Sequence, residues 1–297
     1  MPRTKTNGID IEYDTFGQST GRPLVLIMGL GSQMVAWPRG FCERLAAEGH
    51  FLVRFDNRDT GLSTKMEDAG VPNIFEAVAA SQGGRQVSAP YTLSDMALDA
   101  VGLMDALNLK KAHVCGLSMG GMIAQTIAIE HPDRVLNLIS MESAVGETGL
   151  PAATPAAREA MFTPPPPQRD AYIQHMIKVF RVFSGGSDKF NESIEGEIAA
   201  ASYDRAYHPV GFARQLMAIL ASGSRKQALG SIKVPTLVIH GAQDTLVPLQ
   251  KGIETAETIP GAKLLVVEGL GHGLSYPELW DEIAEAISHH TTNATRT

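Results

Sequence analysis

The run Ala112-His113-Val114-Cys115-Gly116-Leu117-Ser118-Met119-Gly120-Gly121 decides how the rest of the chain is interpreted. It begins as a short apolar strand, and a helix-like run from Met122 to Glu130 follows it. Between them, Ser118 stands in the pattern Gly-x-Ser-x-Gly. A serine on a tight strand-to-helix turn brings the residues two before and two after it against neighbouring backbone, so both must lack a side chain. The pattern therefore predicts a nucleophile elbow that lifts the Ser118 hydroxyl clear of a sheet.

The motif alone is not decisive, because a Gly-x-Ser-x-Gly can arise by chance in a chain with 29 glycines. The strand before Ser118 and the helix after it are the context that the motif requires. The helix would aim its first unpaired N–H groups at whatever Ser118 attacks, and the helix dipole favours negative charge there. The motif becomes specific if a base and an acid lie where the same fold would place them.

Strands and helices alternate in both the first and the last part of the chain. This rhythm predicts an α/β fold with a mostly parallel central sheet and helices on both faces. In such sheets reactive groups gather beyond the carboxyl ends of the strands. Residues 66–90 are interpreted as an irregular surface excursion. Predicted strands are 9–13, 24–28, 51–55, 112–117, 135–141, 234–240 and 263–268, with a short strand before the Asn7-Gly8 turn; predicted helices are 37–48, 92–109, 122–130, 248–259 and 277–288.

The middle of the chain has a different character. From about Ala144 to Gly230 the pattern shows prolines and helical stripes but no strand, which indicates a mainly helical insertion. Four consecutive prolines, 164–167, predict a stiff extended connector within it. We therefore predict a core domain of residues 1–143 and 231–297, interrupted by a helical insertion of residues 144–230. The apolar stripes comprise Tyr172, Met176, Val179, Phe180 and Phe183, and Phe212, Leu216 and Leu220.

Composition narrows the class of partner. The 297 residues carry a net charge of −7 with no basic block, which argues against nucleic-acid binding. The first residues lead into no apolar signal segment and no run is long enough to span a membrane, so we expect a cytoplasmic location and no membrane association.

Cys42 and Cys115 suggest no disulfide framework, and Cys115 is expected to be a buried thiol. Nothing in the sequence indicates the oligomeric state.

A serine hydroxyl is a weak nucleophile and needs a neighbouring base. Among the nine histidines, His272 is the candidate, because it lies in Gly269-Leu270-Gly271-His272-Gly273 directly after the last predicted strand. His240 also ends a strand, but it precedes the loop that carries the candidate acid, which favours a packed or hydrogen-bonded role. The remaining histidines have no matching context, and those at predicted helix ends are expected to be solvated: His131, His289 and His290.

The base needs a carboxylate that orients it. Asp244 follows the penultimate predicted strand, so the chain order becomes Ser118, Asp244, His272. Glu142, just after the strand that follows the elbow, is the alternative acid. Asp244 could also be a turn residue that hydrogen-bonds its own backbone. Two further acids, Asp56 and Asp59, are interpreted as loop-building residues.

A developing oxyanion needs donors aimed at it. The backbone amide of Met119, directly after the nucleophile, is one candidate. The other should come from Gly29-Leu30-Gly31, which follows the strand at 24–28 and keeps its backbone open to a ligand. Leu30 is the predicted donor in that loop.

Four features together resemble the α/β-hydrolase superfamily, from about Ile9 to Ser288. They are Gly29-Leu30-Gly31, Arg58-Asp59-Thr60-Gly61-Leu62-Ser63, the elbow, and the Asp244/His272 pair. The branch with a helical cap after the sixth core strand, which holds serine esterases, lactonases and perhydrolases, is the most similar. The Arg-Asp-Thr-Gly-x-Ser form resembles bacterial esterases related to aclacinomycin methylesterase. Many relatives have His-Gly before the oxyanion loop, where this chain has Met28-Gly29, so the loop must be held differently.

The resemblance implies a serine hydrolase that cleaves a carboxylic ester of a small to medium, largely apolar molecule through an acyl-enzyme. Ser118 would be the nucleophile, His272 the base and Asp244 its orienting acid, with no metal or organic cofactor. The same triad could instead serve carbon–carbon bond hydrolysis, lactone hydrolysis or perhydrolysis. A non-catalytic ligand-binding member of the fold is the alternative from another class, since fold alone does not fix function.

Overall fold

A computed structural model of the chain describes residues 2–147 and 151–293. Eight strands form one sheet in the order β1-β2-β4-β3-β5-β6-β7-β8. The pairs β1–β2 and β2–β4 are antiparallel, and all the other pairs are parallel. The predicted α/β fold with a mostly parallel sheet is therefore confirmed. The strands are β1 Arg3–Thr6, β2 Ile9–Phe16, β3 Arg22–Ile27, β4 His50–Phe55, β5 Ala112–Leu117, β6 Val135–Met141, β7 Thr236–Gly241 and β8 Lys263–Val267.

Helices surround this sheet and also fill the connection between β6 and β7. Within the described residues, the helices are α1 Arg39–Ala47, α2 Ile74–Gln82, α3 Leu93–Ala106, α4 Met119–Glu130, α5 Pro155–Phe162, α6 Arg169–Phe183, α7 Glu192–Arg205, α8 Val210–Ser222, α9 Lys226–Leu229, α10 Leu249–Thr258 and α11 Trp280–Asn293. None of them is both long enough and apolar enough to cross a lipid bilayer.

The central strands explain why both faces of the sheet are covered. Every residue of β5 and of β7 is buried. Along β3, Val25 and Ile27 join an apolar cluster with residues of α3 and α4, whereas Leu24 and Leu26 join another with residues of α1 and α11. This alternation follows from the two-residue period of a strand. Continuous apolar strands therefore require the two helical layers that the structure has.

The helical insertion, residues 144–230, contributes α5 to α9, all of which lie between β6 and β7. Prolines 164–167 connect α5 to α6 without forming a helix or strand. The sixth strand is thus followed by helices as predicted. The limits at 144 and 230 stay a prediction, and residues 148–150 of the insertion lie outside the described residues.

Two expectations were wrong. Residues 66–90 contain α2, whose first turn is capped by the Asn73 side chain. The helix escapes the periodicity pattern because only Ala77 is buried and Phe75 is 81% exposed. His290 is buried and not solvated, because α11 continues past the predicted end at residue 288 and carries its last turns against the sheet.

Candidate active site

The turn at Ser118 has the geometry that the motif predicts. Ser118 has φ 58° and ψ −119°, and α4 begins at the next residue. A Cβ atom at Gly116 would collide with the carbonyl oxygen of Gly120, and one at Gly120 would collide with the carbonyl oxygen of Ile27. The two glycines are therefore sterically required, and the strained turn holds the half-buried Ser118 at the end of β5.

Asp244 and His272 meet beyond the ends of β7 and β8. The Oδ2 atom of Asp244 lies 2.7 Å from Nδ1 of His272. The other oxygen, Oδ1, accepts the backbone N–H groups of Leu246 and Val247 at 2.9 and 2.8 Å. Asp244 is thus both a turn residue and a partner of His272, with one oxygen for each role. Because Nδ1 donates to Asp244, a neutral His272 carries its free lone pair on Nε2.

The environment of His272 favours its protonated form. Burial by itself would lower the pKa of the imidazole, but the charge and hydrogen bond of Asp244, together with the charge of Glu142, outweigh it and raise the pKa. A histidine held in this way is a stronger proton acceptor than a free imidazole. This electrostatic setting suits a general base.

Glu142, the alternative acid, contacts the same loop in another manner. It is fully buried with φ 47°, and its Oε2 accepts the backbone N–H of Gly273 at 2.6 Å. The same oxygen lies 3.6 Å from Nδ1 of His272, well beyond the Asp244 distance. Burial raises the pKa of the Glu142 carboxyl to about 8. Glu142 therefore supports the loop that carries His272, while Asp244 makes the direct hydrogen bond.

These three side chains are also the group of potential metal ligands in the described part of the chain, with ligand atoms within 4.8 Å of one another. Hydrogen bonds already account for the arrangement: both oxygens of Asp244 and one of Glu142 accept N–H donors. His240, considered above as a packed residue, bonds the Val247 carbonyl through Nε2 at 2.7 Å. The hydrogen-bonded cluster is consistent with proton transfer.

Backbone contacts bring Ser118 to the same edge of the sheet as this pair. The N–H of Ser118 donates to the Met141 carbonyl at 2.9 Å, and the Ser143 hydroxyl donates to the Ser118 carbonyl at 2.8 Å. Glu142 lies between Met141 and Ser143 in the chain, and its carboxylate accepts the Gly273 N–H in the His272 loop. The described residues contain no hydrogen bond between Ser118 Oγ and His272, and in many enzymes that bond tightens only when substrate is bound.

Both predicted oxyanion donors are unpaired amides within the described residues. Met119 is the first residue of α4, where N–H groups have no intrahelical acceptor. Leu30 lies in the loop after β3, and its N–H likewise has no acceptor there. This loop approaches the nucleophile closely, since a Cβ atom at Gly29 would lie 3.1 Å from Cβ of Ser118.

Side chains from the helical insertion surround these loops. The rings of Phe183 and His272 make an edge contact with centroids 6.2 Å apart. Phe180 packs against Gly273 and Phe212 packs against Gly31, since a Cβ atom at either glycine would lie 3.1 Å from the ring. The two predicted apolar stripes thus turn aromatic residues toward the site.

Sequence reasoning missed the polar contacts between the insertion and the core. Asp56 and Asp59 do build their loop, as interpreted, by accepting the backbone N–H groups of Leu62 and Met66. They also bind Arg205 on α7 and Arg214 on α8. Gln215 on α8 reaches the oxyanion loop itself. No local pattern marks these partners, because each is more than a hundred residues from the group it binds.

Known proteins resemble the chain over nearly its whole length. The chain is 30% identical to rhodomycin D methylesterase DauP of Streptomyces sp. strain C5, over 94% of each chain. It is 25% identical to 3-oxoadipate enol-lactonase 2 of Acinetobacter baylyi, over 94% of this chain and 93% of that one. A solved meta-cleavage product hydrolase from Pseudomonas fluorescens IP01 superposes with a TM-score of 0.75 at 22% identity, over 99% and 98% of the two chains.

The family model described as the alpha/beta hydrolase fold matches residues 22–279. This span includes the elbow, the strand-end loops of Asp244 and His272, and the helices between β6 and β7. The predicted resemblance to α/β-hydrolases is confirmed. The predicted similarity to methylesterases is confirmed as well. The chain belongs to the alpha/beta hydrolase fold family, and it is a hydrolase.

Proposed function

We propose that the protein is a carboxylic ester hydrolase that acts through an acyl-enzyme on Ser118. The observation that carries the proposal is the 2.7 Å bond between His272 and Asp244 at the sheet edge where the strained Ser118 turn lies. A base oriented by a buried carboxylate beside a raised serine is an arrangement for nucleophilic acyl transfer. The methylesterase relatives support an ester as the substrate.

In the proposed reaction the Ser118 hydroxyl attacks the ester carbonyl and gives its proton to Nε2 of His272. Asp244 keeps the Nδ1 proton in place and stabilises the imidazolium that forms. The N–H groups of Met119 and Leu30 stabilise the oxyanion of the tetrahedral intermediate. His272 then protonates the leaving alcohol. In the second half, His272 takes a proton from the water that attacks the acyl-enzyme, and it returns this proton to the Ser118 oxygen as the acid leaves.

The aromatic residues of α6 and α8 support an apolar substrate of small to medium size. We propose that the helical insertion, residues 144–230, is a lid that covers the ester with Phe183, Phe180 and Phe212. An apolar enclosure strengthens the electrostatic interactions with the oxyanion, because it excludes water from them. No nucleic-acid or organic cofactor role is proposed, and small organic esters are the expected partners.

Other chemistries use the same groups. Relatives named as a 2-hydroxymuconate semialdehyde hydrolase and an enol-lactonase support carbon–carbon bond hydrolysis and lactone hydrolysis as alternatives. Perhydrolysis also needs only a serine, a histidine and an oxyanion site. A non-catalytic role is disfavoured because it leaves the Asp244–His272 pair and the strained serine without a purpose.

The test is turnover of methyl esters and of p-nitrophenyl esters with increasing acyl length. Wild-type protein should hydrolyse at least one class, and Ser118→Ala should lose about 10⁴-fold or more of kcat/KM. Ser143→Ala is the matched control, because it removes a neighbouring hydroxyl that only donates to the Ser118 carbonyl. A fluorophosphonate should label wild type and Ser143→Ala, but not Ser118→Ala. Turnover of diketones or lactones in the absence of ester turnover would favour the alternatives, and undiminished ester turnover by Ser118→Ala would overturn the proposal.

A further inference from the structure

The oxyanion loop is a tight turn in which three backbone N–H groups follow the Gly29 carbonyl, those of Leu30, Gly31 and Ser32. Ser32 donates its N–H to the Gly29 carbonyl at 3.2 Å, which closes a four-residue turn. Gly31, at the third position, has φ +70°, as a type II turn requires. The N–H of Gly31 donates to Oε1 of Gln215 at 2.8 Å. Of these three N–H groups, that of Leu30 is the one without an acceptor among the residues that the structure describes, so it is free to meet a substrate oxygen.

The side-chain amide of Gln215 connects two loops of the core. It lies on α8 of the helical insertion and is fully buried. Its Nε2 donates to the Arg58 carbonyl at 2.8 Å and to the Thr60 hydroxyl at 2.6 Å. One amide group thus joins the oxyanion loop after β3 to the loop after β4. A buried amide with all these bonds made has little freedom to rotate, because each lost bond would leave a buried polar group unpaired.

The carbonyl group directly before the turn is held by the loop after β4. Asn57 donates its Nδ2 to the Met28 carbonyl at 2.9 Å. Position 28 is where the sequence departs from the His-Gly pattern of many relatives, so the loop needs supports other than a histidine. Asn57 and Gln215 hold it from its two ends.

We infer that Gln215 is a positioning residue for the reaction: by binding the Gly31 N–H, it holds the turn so that the Leu30 N–H faces the oxyanion formed at Ser118. The oxyanion site is then complete only while α8 is seated on the core, although no side chain of α8 takes part in the chemistry. This inference rests on the proposed ester hydrolysis. It predicts that loss of Gln215 weakens transition-state binding and leaves substrate binding nearly unchanged.

The test compares Gln215→Met with Gln33→Met. Gln33, the residue after the turn, also bridges the core and the insertion, but its side chain bonds Ser202, Ala206 and Arg205 and makes no described hydrogen bond to the turn. With a p-nitrophenyl ester, Gln215→Met should lower kcat by roughly 10- to 100-fold and change KM by less than about threefold. Inhibition by an alkyl trifluoromethyl ketone, which Ser118 converts to a hemiketal oxyanion, should weaken by the same factor as kcat. Gln33→Met should keep kcat within about twofold, even where Tm falls.

A second readout does not depend on catalysis. The Gly31 amide should exchange with deuterium slowly in wild type and in Gln33→Met, and much faster in Gln215→Met. Gln215→Asn, which keeps the amide but is one methylene too short, should behave like Gln215→Met and serves if the latter does not fold. A folded variant with wild-type kcat, an equal kcat loss in Gln33→Met, or unchanged Gly31 exchange would overturn the inference. If the wild type hydrolyses no ester, the proposed function has failed, and the exchange measurement still decides whether Gln215 holds the turn.

Discussion

The strand-end loops of the core and the helical insertion are held by different kinds of contact. In the core, Ser118 is raised by a backbone turn, and the Asp244 loop is closed by N–H groups two and three residues further on. The insertion is fixed by side chains that cross to the core: Arg205 binds Asp56 at 2.9 Å, and Arg214 binds Asp59 at 2.7 Å. The Ser118 turn and the Asp244 loop are thus fixed by local contacts, whereas the position of the insertion depends on distant charge pairs.

This difference implies a division of roles. Ser118 and Asp244 are held by core residues, whereas the N–H of His272 donates to the Phe183 carbonyl of α6 at 3.2 Å and the N–H of Gly31 donates to Gln215 of α8. The insertion instead depends on buried pairs that are costly to break and that tolerate one geometry. Changes in the core should therefore alter the chemical step, and changes at the insertion contacts should alter stability and the completion of the site.

The largest effect is expected for Asp244→Asn, which tests the core half of the comparison. Asparagine cannot stabilise the imidazolium and favours the wrong tautomer, so kcat/KM should fall roughly 10⁴-fold. Without the Asp244 charge, burial should lower the pKa of His272, so the acid limb of the pH–rate profile should move to lower pH. Steady-state kinetics across pH measure both.

Glu142→Gln is the matched comparison for that change. Burial raises the pKa of the Glu142 carboxyl, and glutamine resembles the neutral form that burial favours while keeping an oxygen that can accept the Gly273 N–H. Activity should stay within about tenfold of wild type. If Glu142→Gln abolishes turnover while Asp244→Asn does not, Glu142 is the orienting acid and the assignment is reversed.

The same difference explains what the sequence could predict. The sequence predicts His272 and Asp244 because they directly follow strands. It predicts the Ser118 turn because the glycines on either side mark positions where a side chain would collide. The sequence does not predict the contacts of three residues in the insertion, because they lie 149, 155 and 184 residues from the groups they bind: Arg205, Arg214 and Gln215. A one-dimensional pattern identifies helices with apolar stripes, but it does not specify which polar residue on a helix meets which loop.

The next largest effect is expected for Arg214→Met, which tests the insertion half. Burial alone would raise the pKa of Asp59, but the hydrogen bonds of Arg214, of Tyr91 and of the Met66 N–H hold it below its usual range. Removing Arg214 leaves this carboxylate buried without its cation, so the free energy of unfolding should fall by about 3–5 kcal/mol. Urea unfolding measures the loss.

Arg181→Met is the control for that loss, because its pair with Glu192 also lies in the insertion but is exposed. It should cost less than about 1 kcal/mol. Equal losses in the two variants would mean that buried pairs do not dominate the attachment of the insertion.

A smaller effect is expected from His113, at the start of β5 in the core. Burial, with the nearby charges of His50, Arg22 and His290, lowers the pKa of His113 to about 4. The unfolded chain binds a proton near pH 6.5 and the native protein does not, so acidification from 6.5 toward 4 destabilises the fold. Between about pH 7.5 and 5, wild type should lose roughly 2 kcal/mol more than His113→Leu. Parallel pH dependences in urea unfolding would show that His113 titrates normally.

The smallest effect is expected at α2, a core helix whose Ala77 packs with Met217 of α8 in the insertion. Its first turn depends on the Asn73 side chain, which accepts the N–H groups of Phe75 and Glu76 at 3.2 and 3.3 Å. Asn73→Ala should destabilise the helix by about 1 kcal/mol, and Asn73→Asp should preserve it, because a carboxylate can cap the same donors. Faster deuterium exchange confined to α2 in the alanine variant would indicate that this helix opens independently. Faster exchange extending through α8 would instead show that the capped helix α2 stabilises the insertion in addition to the arginine ion pairs. The core and the insertion would then differ less in how they are held than the arginine contacts suggest.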